Sequence, residues 1–510
     1  MLQIHHLTLA HRKDLHILVK DFNLVINRGD KIVLVGEEGN GKSTLLKWIL
    51  DPTLTEEYIE ASGRKTLQGE LLAYLPQELP DADRSKSVSS YIFGSLSTAS
   101  SDISELYRLA GELHISPELL FSEQQMGSLS GGERIKIQMA GILLRSPDIL
   151  LLDEPSNDID IDTLEWMEKL IINFPGSVLF ISHDETLIER TANRVILIEQ
   201  LRRKTISRVT IANMPFRQFM EERMLSLAKQ EQAALSERRE ERAALDRFQR
   251  IQQSVEHAQN AISRQDPAGG RLLKKKMKAV KSIERRYQRE HEEMTEMPET
   301  ESPITIRFEN QQAMPAGKIV LDLSLPELYS PDGTLLSKDI ALHVRGPEKI
   351  CIIGTNGIGK TTLIRKIAAD LQSRDDLSAF YMSQDYKETL PLDICPVDYL
   401  APSGRKDDVT LVRTYLGSMK YTAEEMFHPI HELSGGQKAK LLLLKISLSA
   451  VNVLILDEPT RNFSPLSAPE IRRILKSFTG AIISISHDRK YISEVCSKVY
   501  RMTSDGLEPV

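Results

Sequence analysis

Two kinds of hydrophobic pattern run along the chain, and each predicts a different kind of strand. In residues 1–30 apolar side chains recur at every second position, as in Leu7 and Leu9, and a turn-forming Asn-Arg-Gly-Asp stretch closes the segment. This alternation is typical of strands with one buried face. It predicts a small antiparallel sheet over residues 1–35.

Elsewhere, short runs are apolar at every position. They lie at 32–35, 149–152, 178–181, 350–353 and 454–456. A strand without a polar face is buried on both sides, as in the parallel sheets of α/β folds, and such sheets bind ligands at the carboxyl ends of their strands. The residues that follow these runs are therefore candidates for binding and catalysis.

Two of the runs lead directly into glycine-rich segments of the same spacing. Residues 36–43 and 354–361 both fit G-x-x-x-x-G-K-[ST], and a helical pattern follows each. In such a phosphate cradle the glycines turn backbone N–H groups toward phosphates, the lysine neutralises phosphate oxygens, and the Ser or Thr hydroxyl binds Mg²⁺. The predicted contacts to ATP are Gly36, Gly39, Gly41, Lys42, Ser43 and Thr44 in the first cradle and Gly354, Gly357, Gly359, Lys360, Thr361 and Thr362 in the second.

A second motif places a serine and two glycines at the start of a predicted helix. It reads Leu-Ser-Gly-Gly-Glu at 129–133 and Leu-Ser-Gly-Gly-Gln at 433–437. The hydroxyl and the uncovered backbone amides of such a helix start attract anions. The predicted phosphate contacts are Ser130, Gly131 and Gly132 in the first half and Ser434, Gly435 and Gly436 in the second.

Two of the fully apolar strands end on adjacent carboxylates followed by proline. We predict that the aspartates, Asp153 and Asp457, bind Mg²⁺ and that the glutamates, Glu154 and Glu458, act as general bases on the attacking water. Another strand of each half ends at a histidine, which we predict to contact the γ-phosphate. A glutamine lies in each half between the cradle and the Leu-Ser-Gly-Gly motif, called the signature below. These residues are His183 and His487 and Gln77 and Gln384; the predicted metal ligands are Ser43, Gln77, Asp153, Thr361, Gln384 and Asp457.

The motifs recur in the same order in both halves, which indicates an internal duplication. Asp153 and Asp457, like His183 and His487, are 304 positions apart. His11 and Tyr329 each lie 25 positions before the first glycine of a cradle, so both rings are candidates for stacking on adenine. The alternative for both is an ordinary surface ring.

The segment between the halves has a different pattern. From about 216 to 297 apolar residues recur at helical spacing, and a break at 263–270 contains Asp-Pro-Ala-Gly-Gly. We predict two antiparallel helices, the first of about 48 residues and roughly 70 Å, the second nearer 40 Å. Together they form a projecting hairpin.

The tip of this hairpin is strongly basic. Between positions 260 and 289 there are ten Lys and Arg against two acidic residues. The alternative to a ligand site is a solvated helix face, but a cluster with so large an excess of positive charge favours contact with a polyphosphate such as RNA. The predicted RNA contacts are Arg264, Arg271, Lys274, Lys275, Lys276, Lys278, Lys281, Arg285 and Arg286.

Composition adds limits. At 510 residues the chain is long enough for about three units, and a net charge of -7 gives no global basicity. Its 3 cysteines are scattered, which predicts neither disulfides nor a zinc site. No apolar stretch has the length of a membrane span, and the N-terminus has neither signal-peptide nor transit-peptide character. We expect a soluble cytoplasmic protein.

The paired cradles, Leu-Ser-Gly-Gly signatures, Asp-Glu-Pro strand ends and histidines resemble those of tandem ATP-binding-cassette proteins over residues 1–200 and 318–510. The resemblance implies an α/β fold with two P-loop cassettes, 1–214 and 301–510, joined by a long antiparallel α-helical hairpin at 215–300. It also implies an ATPase in which the cassettes close head to tail. The cradle, carboxylates and histidine of each cassette then face the signature of the other, and both composite sites form within a monomer.

A charged hairpin without membrane spans resembles the ABC-F family of ribosome-associated ATPases. This resemblance implies a ribosome partner, with the hairpin reaching rRNA and tRNA from the exit site. The segments 153–160 and 457–465 are similar to those of the antibiotic-resistance branch, which implies protection of translation from large-subunit drugs. The alternatives are a translation factor that resolves stalled ribosomes without a drug, the motor of a membrane transporter, and a DNA-tethering ATPase.

Three departures from the family pattern distinguish the two predicted sites. Glu38 stands where the cradle usually has Asn or Ser, adding a negative charge near the phosphates. Arg461 and Ser464 replace the residues equivalent to Asn157 and Asp160. We therefore expect inequivalent sites.

Overall fold

The computed structural model describes residues 1–94, 103–157, 159–201, 205–261, 275, 278, 282, 314–419 and 421–510. The chain divides into two compact units. One comprises Met1–Phe216 together with Glu301–Val510, and the other is Arg217–Thr300. The first unit contains both predicted cassettes.

The first cassette combines a mixed six-stranded sheet with a small antiparallel sheet and helices. Its strands are β1 (Leu2–His11), β2 (Ile17–Ile26), β3 (Lys31–Val35), β4 (Ile59–Thr66), β5 (Leu72–Leu75), β6 (Ile149–Asp153), β7 (Ser177–Ile181), β8 (Arg194–Gln200) and β9 (Ile206–Ala212). Its helices are α1 (Lys42–Leu50), α2 (Asp81–Arg84), α3 (Val88–Gly94), α4 (Ile103–Glu112), α5 (Pro117–Leu120), α6 (Gly131–Leu143), α7 (Ile161–Asn173) and α8 (Glu185–Thr191).

The second unit contains α9 (Phe216–Ala261), a helix of 46 residues, from its second residue onward. At 1.5 Å per residue α9 is about 69 Å long, close to the predicted first arm of the hairpin. Lys275, Lys278 and Ser282 are also helical. The other predicted RNA contacts, Arg264, Arg271, Lys274, Lys276, Lys281, Arg285 and Arg286, lie outside the described residues.

The second cassette repeats the order of the first. Its strands are β10 (Ile319–Tyr329), β11 (Leu335–Arg345), β12 (Lys349–Ile353), β13 (Ala379–Met382), β14 (Val453–Asp457), β15 (Ala481–Ile485), β16 (Lys498–Thr503) and β17 (Gly506–Pro509). Its helices are α10 (Lys360–Gln372), α11 (Pro396–Leu400), α12 (Lys406–Ser418), α13 (Ala423–Phe427), α14 (Gly435–Leu448), α15 (Ala468–Ser477) and α16 (Arg489–Val495).

Both six-stranded sheets have the same topology. The order is β5-β6-β7-β3-β8-β9 in the first cassette and β13-β14-β15-β12-β16-β17 in the second. The first five strands of each are parallel and the last is antiparallel. Every residue of β6, β7, β14 and β15 is buried, as the fully apolar runs predict.

The small antiparallel sheet of the first cassette differs from its prediction in one respect. β1 pairs with β2 on one side and with β4 on the other. Residues 31–35 form β3 of the parallel sheet instead, because all five are buried and pair with β7 and β8. The antiparallel sheet therefore ends before residue 31 and is completed by a strand from beyond the cradle.

Ion pairs join the two cassettes. Arg472 on α15 donates two hydrogen bonds to Glu185, at 2.6 and 3.2 Å, and the two side chains are 3% and 6% exposed. Arg489 lies 2.5 Å from Glu168. Lys490 lies 3.0 Å from Glu185 and 2.6 Å from Glu189. In these ion pairs every basic residue belongs to the second cassette and every acidic residue belongs to the first.

The duplication makes this division of charge informative. Arg472 is the counterpart of Glu168, and Arg489 is the counterpart of Glu185, because each pair is 304 positions apart. The two ion pairs are thus related by the pseudo-twofold symmetry of the cassettes. A pair of first cassettes would bring glutamate against glutamate at both contacts, and a pair of second cassettes would bring arginine against arginine. Both like-charge arrangements are unfavourable where water is excluded.

Within the described residues, no helix is both long and apolar enough to cross a membrane. α9 has the length for a span, but charged residues recur throughout it.

Candidate functional site

Each predicted phosphate cradle lies between a buried strand and a helix, as the sequence predicts. β3 leads into the first cradle and α1 begins at Lys42; β12 leads into the second and α10 begins at Lys360. Gly41 precedes α1 with φ of 83°, and a Cβ there would lie 2.9 Å from Leu18. A side chain at this position is excluded by both the backbone conformation and the space, so glycine is required.

The two cradle lysines curl back over their own loops. Lys42 Nζ donates to the carbonyls of Gly36 at 2.9 Å and Glu37 at 2.8 Å. Lys360 Nζ makes the equivalent bonds to Gly354 at 2.7 Å and Thr355 at 2.9 Å. Each ammonium group is therefore held against the backbone of its own glycine-rich loop, which binds phosphate oxygens in a cradle of this type.

In the first composite site the predicted carboxylates are fully hydrogen-bonded by protein. Asp153 accepts from Ser43 Oγ and from the Tyr74 hydroxyl, both at 2.9 Å. Glu154 accepts from Gln77 Nε2 at 2.9 Å and lies 3.1 Å from His183 Nε2. The geometry thus brings together Ser43, Gln77, Asp153, Glu154 and His183. Tyr74 was not predicted, because nothing in its local sequence distinguishes it from a strand residue.

Asn157 and Phe463 complete this network. The Asn157 side-chain amide donates to Glu154, and His183 Nδ1 lies 2.9 Å from the carbonyl of Phe463 in the other cassette. The histidine thereby connects the first cassette's carboxylate to the second cassette's backbone. This is a direct contact across the composite site.

The second composite site has the same groups with fewer partners. The Thr361 hydroxyl lies close to the Asp457 carboxylate, and the His487 backbone N–H donates to Glu458 at 3.3 Å. Among the described residues, Asp457 Oδ2 and His487 Nδ1 are buried without a hydrogen-bond partner. Buried polar atoms are rarely left without a partner, and Asp457 Oδ2 is available to a ligand group at this site.

A cavity of about 510 Å³ lies at this second site. Residues of both cassettes line it, including the predicted Gly131, Gly357, Gly359, Lys360, Thr361, Thr362, Gln384, Asp457, Glu458, His183 and His487. The volume lies within the range of small-molecule sites. The predicted cradle of the second cassette and part of the signature of the first therefore share one cavity.

The catalytic candidates Glu154 and Glu458 have opposite electrostatic environments. Burial raises the pKa of Glu154, but His183, Lys42 and Asn157 outweigh it and hold the pKa at about 2. Burial and the neighbouring Asp457 carboxylate raise the pKa of Glu458 to about 8. Burial and the Lys360 ammonium lower the pKa of His487 to about 4. Without nucleotide, Glu154 is ionised at neutral pH and Glu458 is largely protonated.

Both glutamates also share a backbone feature that their motif does not reveal. Glu154 has φ of 50° and Glu458 has φ of 53°, in the left-handed region. Non-glycine residues in this region carry strain that is concentrated at functional sites. Each glutamate begins the turn that follows its buried strand, so its side chain points in a different direction from the one that continued strand geometry would give it.

The signature serines cap the helices that follow them. Ser130 Oγ accepts from the Glu133 N–H at 3.3 Å, and Ser434 Oγ accepts from the Gln437 N–H at 3.3 Å. Both form a capping box with the side chain three residues on. The two glycines after each serine form the first turn of the helix. They are Gly131 and Gly132 in one cassette and Gly435 and Gly436 in the other.

The two cradles meet the opposite cassette through different chemistry. At the second site the Asn356 backbone N–H donates to Asp160 of the first cassette. At the first site Glu37 accepts from Ser464 and from Ser467 of the second cassette, both at 2.6 Å. At the second site the carboxylate, Asp160, belongs to the loop of the opposite cassette that faces the cradle. At the first site the carboxylate, Glu37, belongs to the cradle itself. The sequence predicts that the two sites are inequivalent, but it does not predict that the acidic residue lies on opposite sides of the two cradle contacts.

The two predicted adenine-stacking rings lie at strand ends. His11 ends β1 and is partly buried, and Tyr329 ends β10 and is 48% exposed. The Tyr329 hydroxyl donates to Glu327 at 2.7 Å, and the adjacent Ser330 lines the 510 Å³ cavity. Tyr329 is thus an exposed residue next to one that lines the cavity, and its stacking on adenine stays a prediction, as does that of His11.

The donor set fits Mg²⁺ bound together with a nucleotide. Each site offers one hydroxyl and one carboxylate, Ser43 with Asp153 and Thr361 with Asp457. The described residues contain no cluster of three His, Cys, Asp or Glu side chains suited to a metal. Mg²⁺ commonly takes few protein ligands and completes its shell with phosphates and water. The unpartnered Asp457 Oδ2 is the strongest indication of such a ligand.

The repeated fold and its composite sites define an ATP-binding-cassette ATPase with two cassettes in one chain. A sequence profile of the ABC transporter family matches residues 19–157 and 337–461. The chain belongs to this family, and within it is a tandem ABC ATPase of the ABC-F type.

Similar proteins span nearly the whole chain. The probable ATP-binding protein YheS of Escherichia coli K12 is 28% identical over 98% of this chain and 78% of its own length. The ABC transporter F family member 5 of Arabidopsis thaliana is 25% identical over 96% and 73%. The fold is similar to that of an archaeal ribosome recycling factor, aABCE1, solved with the ribosomal stalk protein aP1, at a TM-score of 0.59 and 16% identity over 98% of this chain and 87% of that one.

The opposite pKa shifts of the two glutamates predict opposite changes in stability. Relative to an ordinary pKa of 4.5, the raised pKa of Glu458 stabilises the fold at low pH, and this contribution is lost as pH rises to about 8. The lowered pKa of Glu154 stabilises the fold above 4.5 and is lost as pH falls toward 2. At pH 7.5, without nucleotide and with EDTA, we expect Glu458→Gln to raise Tm and Glu154→Gln to lower it, each by about 1–3 °C. Scanning fluorimetry measures both, and shifts of the same sign would contradict the assignment.

Proposed function

We propose that this ATPase binds the ribosome in an ATP-dependent manner and releases it after hydrolysis. The observation that carries the proposal is the composite site, in which His183 contacts Phe463 across the cassettes and one cavity is lined by both. Nucleotide bound there links the halves, so that ATP binding favours closure and hydrolysis favours opening. The similarity to ABC-F proteins and the basic hairpin tip support the ribosome as the partner.

The site residues have the following proposed roles. Backbone amides of the cradles, with Lys42 and Lys360, bind and orient the phosphates, and the signature of the opposite cassette completes each site. Mg²⁺, when bound at Ser43 with Asp153 and at Thr361 with Asp457, neutralises phosphate charge. Glu154 and Glu458 accept the proton of the attacking water, while His183 and His487 orient the terminal phosphate.

The hairpin is proposed to act as the probe of the ribosome. Its basic tip, with Lys275 and Lys278 on helical backbone, carries charge suited to rRNA and tRNA. We propose that it enters through the exit site and that the protein protects translation from large-subunit antibiotics. The resistance-like segments 153–160 and 457–465 support this narrower role. A factor that resolves stalled ribosomes without a drug remains the second candidate, supported by the same chemistry.

Sedimentation with purified bacterial ribosomes tests the proposal. We expect the Glu154→Gln, Glu458→Gln protein to pellet with ribosomes in ATP and to remain in the supernatant in ADP. Changing Lys274, Lys275 and Lys276 to Glu is expected to reduce the pelleted fraction at least about 10-fold, because three phosphate contacts become repulsive. Absence of pelleting in every nucleotide would overturn the ribosome assignment.

A matched control separates tip contact from general charge. Arg238, Arg239 and Arg242 are exposed on α9, far along the chain from the tip. Their replacement by Glu makes the same change in net charge and is expected to leave pelleting within about twofold. Drug susceptibility of a strain lacking the gene, against one carrying it, then separates drug protection from the second candidate.

A further inference from the structure

The two composite sites differ in how completely protein groups satisfy their polar atoms. At the first, Asp153 accepts two hydrogen bonds and both ring nitrogens of His183 have partners. At the second, Asp457 Oδ2 and His487 Nδ1 have none within the described part of the chain. Among the described residues, the second site thus has buried polar atoms without a protein partner, whereas protein groups satisfy their counterparts at the first site.

The signature of the second cassette is also occupied by a protein carboxylate. Gly436 N–H donates to Glu38 Oε2 of the first cradle at 2.8 Å. This amide is one of the first of α14, which the helix itself leaves without an acceptor, and its position favours an anion. Its counterpart in the other half is Gly132, and the counterpart of Glu38 in the second cradle is the neutral Asn356.

Glu37 fixes the first cradle in this position. Its carboxylate accepts from Ser464 and Ser467 and lies 3.8 Å from Lys440, all in the second cassette. Two adjacent carboxylates of one loop therefore hold the opposite cassette at its signature and at the loop after Glu458. These contacts join the first composite site without a nucleotide.

We propose that Glu38 determines the nucleotide preference of the first composite site, which takes a nucleoside diphosphate in preference to a triphosphate. The inference rests on the cradles binding nucleotide as proposed above. A nucleotide with its inner phosphates in the cradle directs its terminal phosphate toward the opposite signature, where Glu38 already lies. A diphosphate leaves the Glu38–Gly436 contact in place, whereas a γ-phosphate must displace that carboxylate and meets its charge. At the second site the cradle residue is the neutral Asn356, and the facing carboxylate, Asp160, accepts from the backbone N–H groups of Thr163 and Asn356. We expect this site to bind the triphosphate.

Equilibrium binding of ADP and ATP to the full chain tests this. Lys360→Ala weakens the second cradle, so calorimetry in Mg²⁺ then reports the first. We expect ADP to bind at least about 10-fold more tightly than ATP in this background, from repulsion between like charges a few ångströms apart. Adding Glu38→Asn is expected to remove the preference, and Glu38→Gln, which keeps the shape, to do the same. Glu56→Asn, an exposed change elsewhere in the first cassette, leaves the preference in place.

The reciprocal change makes the test symmetric. In a Lys42→Ala background, Asn356→Glu is expected to shift the second site toward ADP by a similar factor. Equal affinities for ADP and ATP in the Lys360→Ala protein would overturn the proposal, as would a preference that Glu38→Asn leaves unchanged or a first site that binds neither nucleotide. None of these measurements uses ribosomes, so failure of ribosome binding is detected separately.

Discussion

Replacing Glu154 and Glu458 together by glutamine is expected to lower the steady-state rate of ATP hydrolysis by at least about 100-fold while ATP still binds. A positioned general base contributes about 10²–10⁴-fold, and glutamine keeps the shape and hydrogen bonding of the side chain but cannot accept the proton. The measurements are phosphate release and retention of labelled ATP on the same protein. Hydrolysis at the normal rate by the double variant would show that these carboxylates are not the bases.

The single variants and a control refine this result. Because Glu38 disfavours triphosphate at the first site, Glu458→Gln should lower the rate more than Glu154→Gln. Glu165→Gln, an exposed position on α7, is expected to keep the rate within about twofold. Equal losses from the two single variants would indicate that both sites turn over equally.

Reversing the charge of Arg472 is expected to separate the cassettes. In Arg472→Glu the new carboxylate meets Glu185 in a contact where both side chains are nearly buried, and breaking such a pair costs about 3–5 kcal/mol. We expect a lower Tm and a large loss of ATPase activity, since both composite sites require the paired cassettes. Thermal unfolding and phosphate release measure the two effects.

A compensating variant tests whether charge is the cause. Adding Glu185→Arg to Arg472→Glu reverses the pair, and we expect it to recover part of the lost Tm. Recovery is incomplete because Lys490 and Glu494 then face like charges. Arg473→Glu, on the exposed side of the same helix, is the control and is expected to change Tm little. A double variant no more stable than Arg472→Glu would mean that packing, not charge, holds this contact.

The sequence predicts the two cassettes well because their motifs are local. A cradle needs one strand end, a few glycines and a helix start, and all of these lie within about fifteen residues. The apolar runs likewise predict β6, β7, β14 and β15 without reference to the rest of the chain. Sequence also identifies Glu38 and Ser464 as unusual, since each departs from its counterpart in the other half.

What sequence does not predict is the pairing of residues across the cassettes. Glu37 and Ser464 are 427 positions apart, and their hydrogen bond exists only because two separate sheets close on each other. The opposite pKa values of Glu154 and Glu458 are also beyond the sequence, although their neighbours lie in the same cassette as each glutamate. Both glutamates belong to an identical Asp-Glu-Pro motif, and only the folded environment of each differs. The left-handed backbone of both glutamates depends on how the chain leaves the strand, which the motif does not encode.

The division of charge between Arg472, Arg489, Glu168 and Glu185 has an evolutionary consequence. A duplicated gene begins with two identical halves, each able to pair with a copy of itself. In this chain, exchanging any one of the four residues for its counterpart in the other half would create a like-charge contact at the buried interface. A return to interchangeable halves therefore requires several coordinated substitutions, so the difference between the halves is difficult to reverse one residue at a time. The same division of charge gives a practical route to splitting the protein, because two separately produced halves would pair with each other in preference to a second copy of themselves.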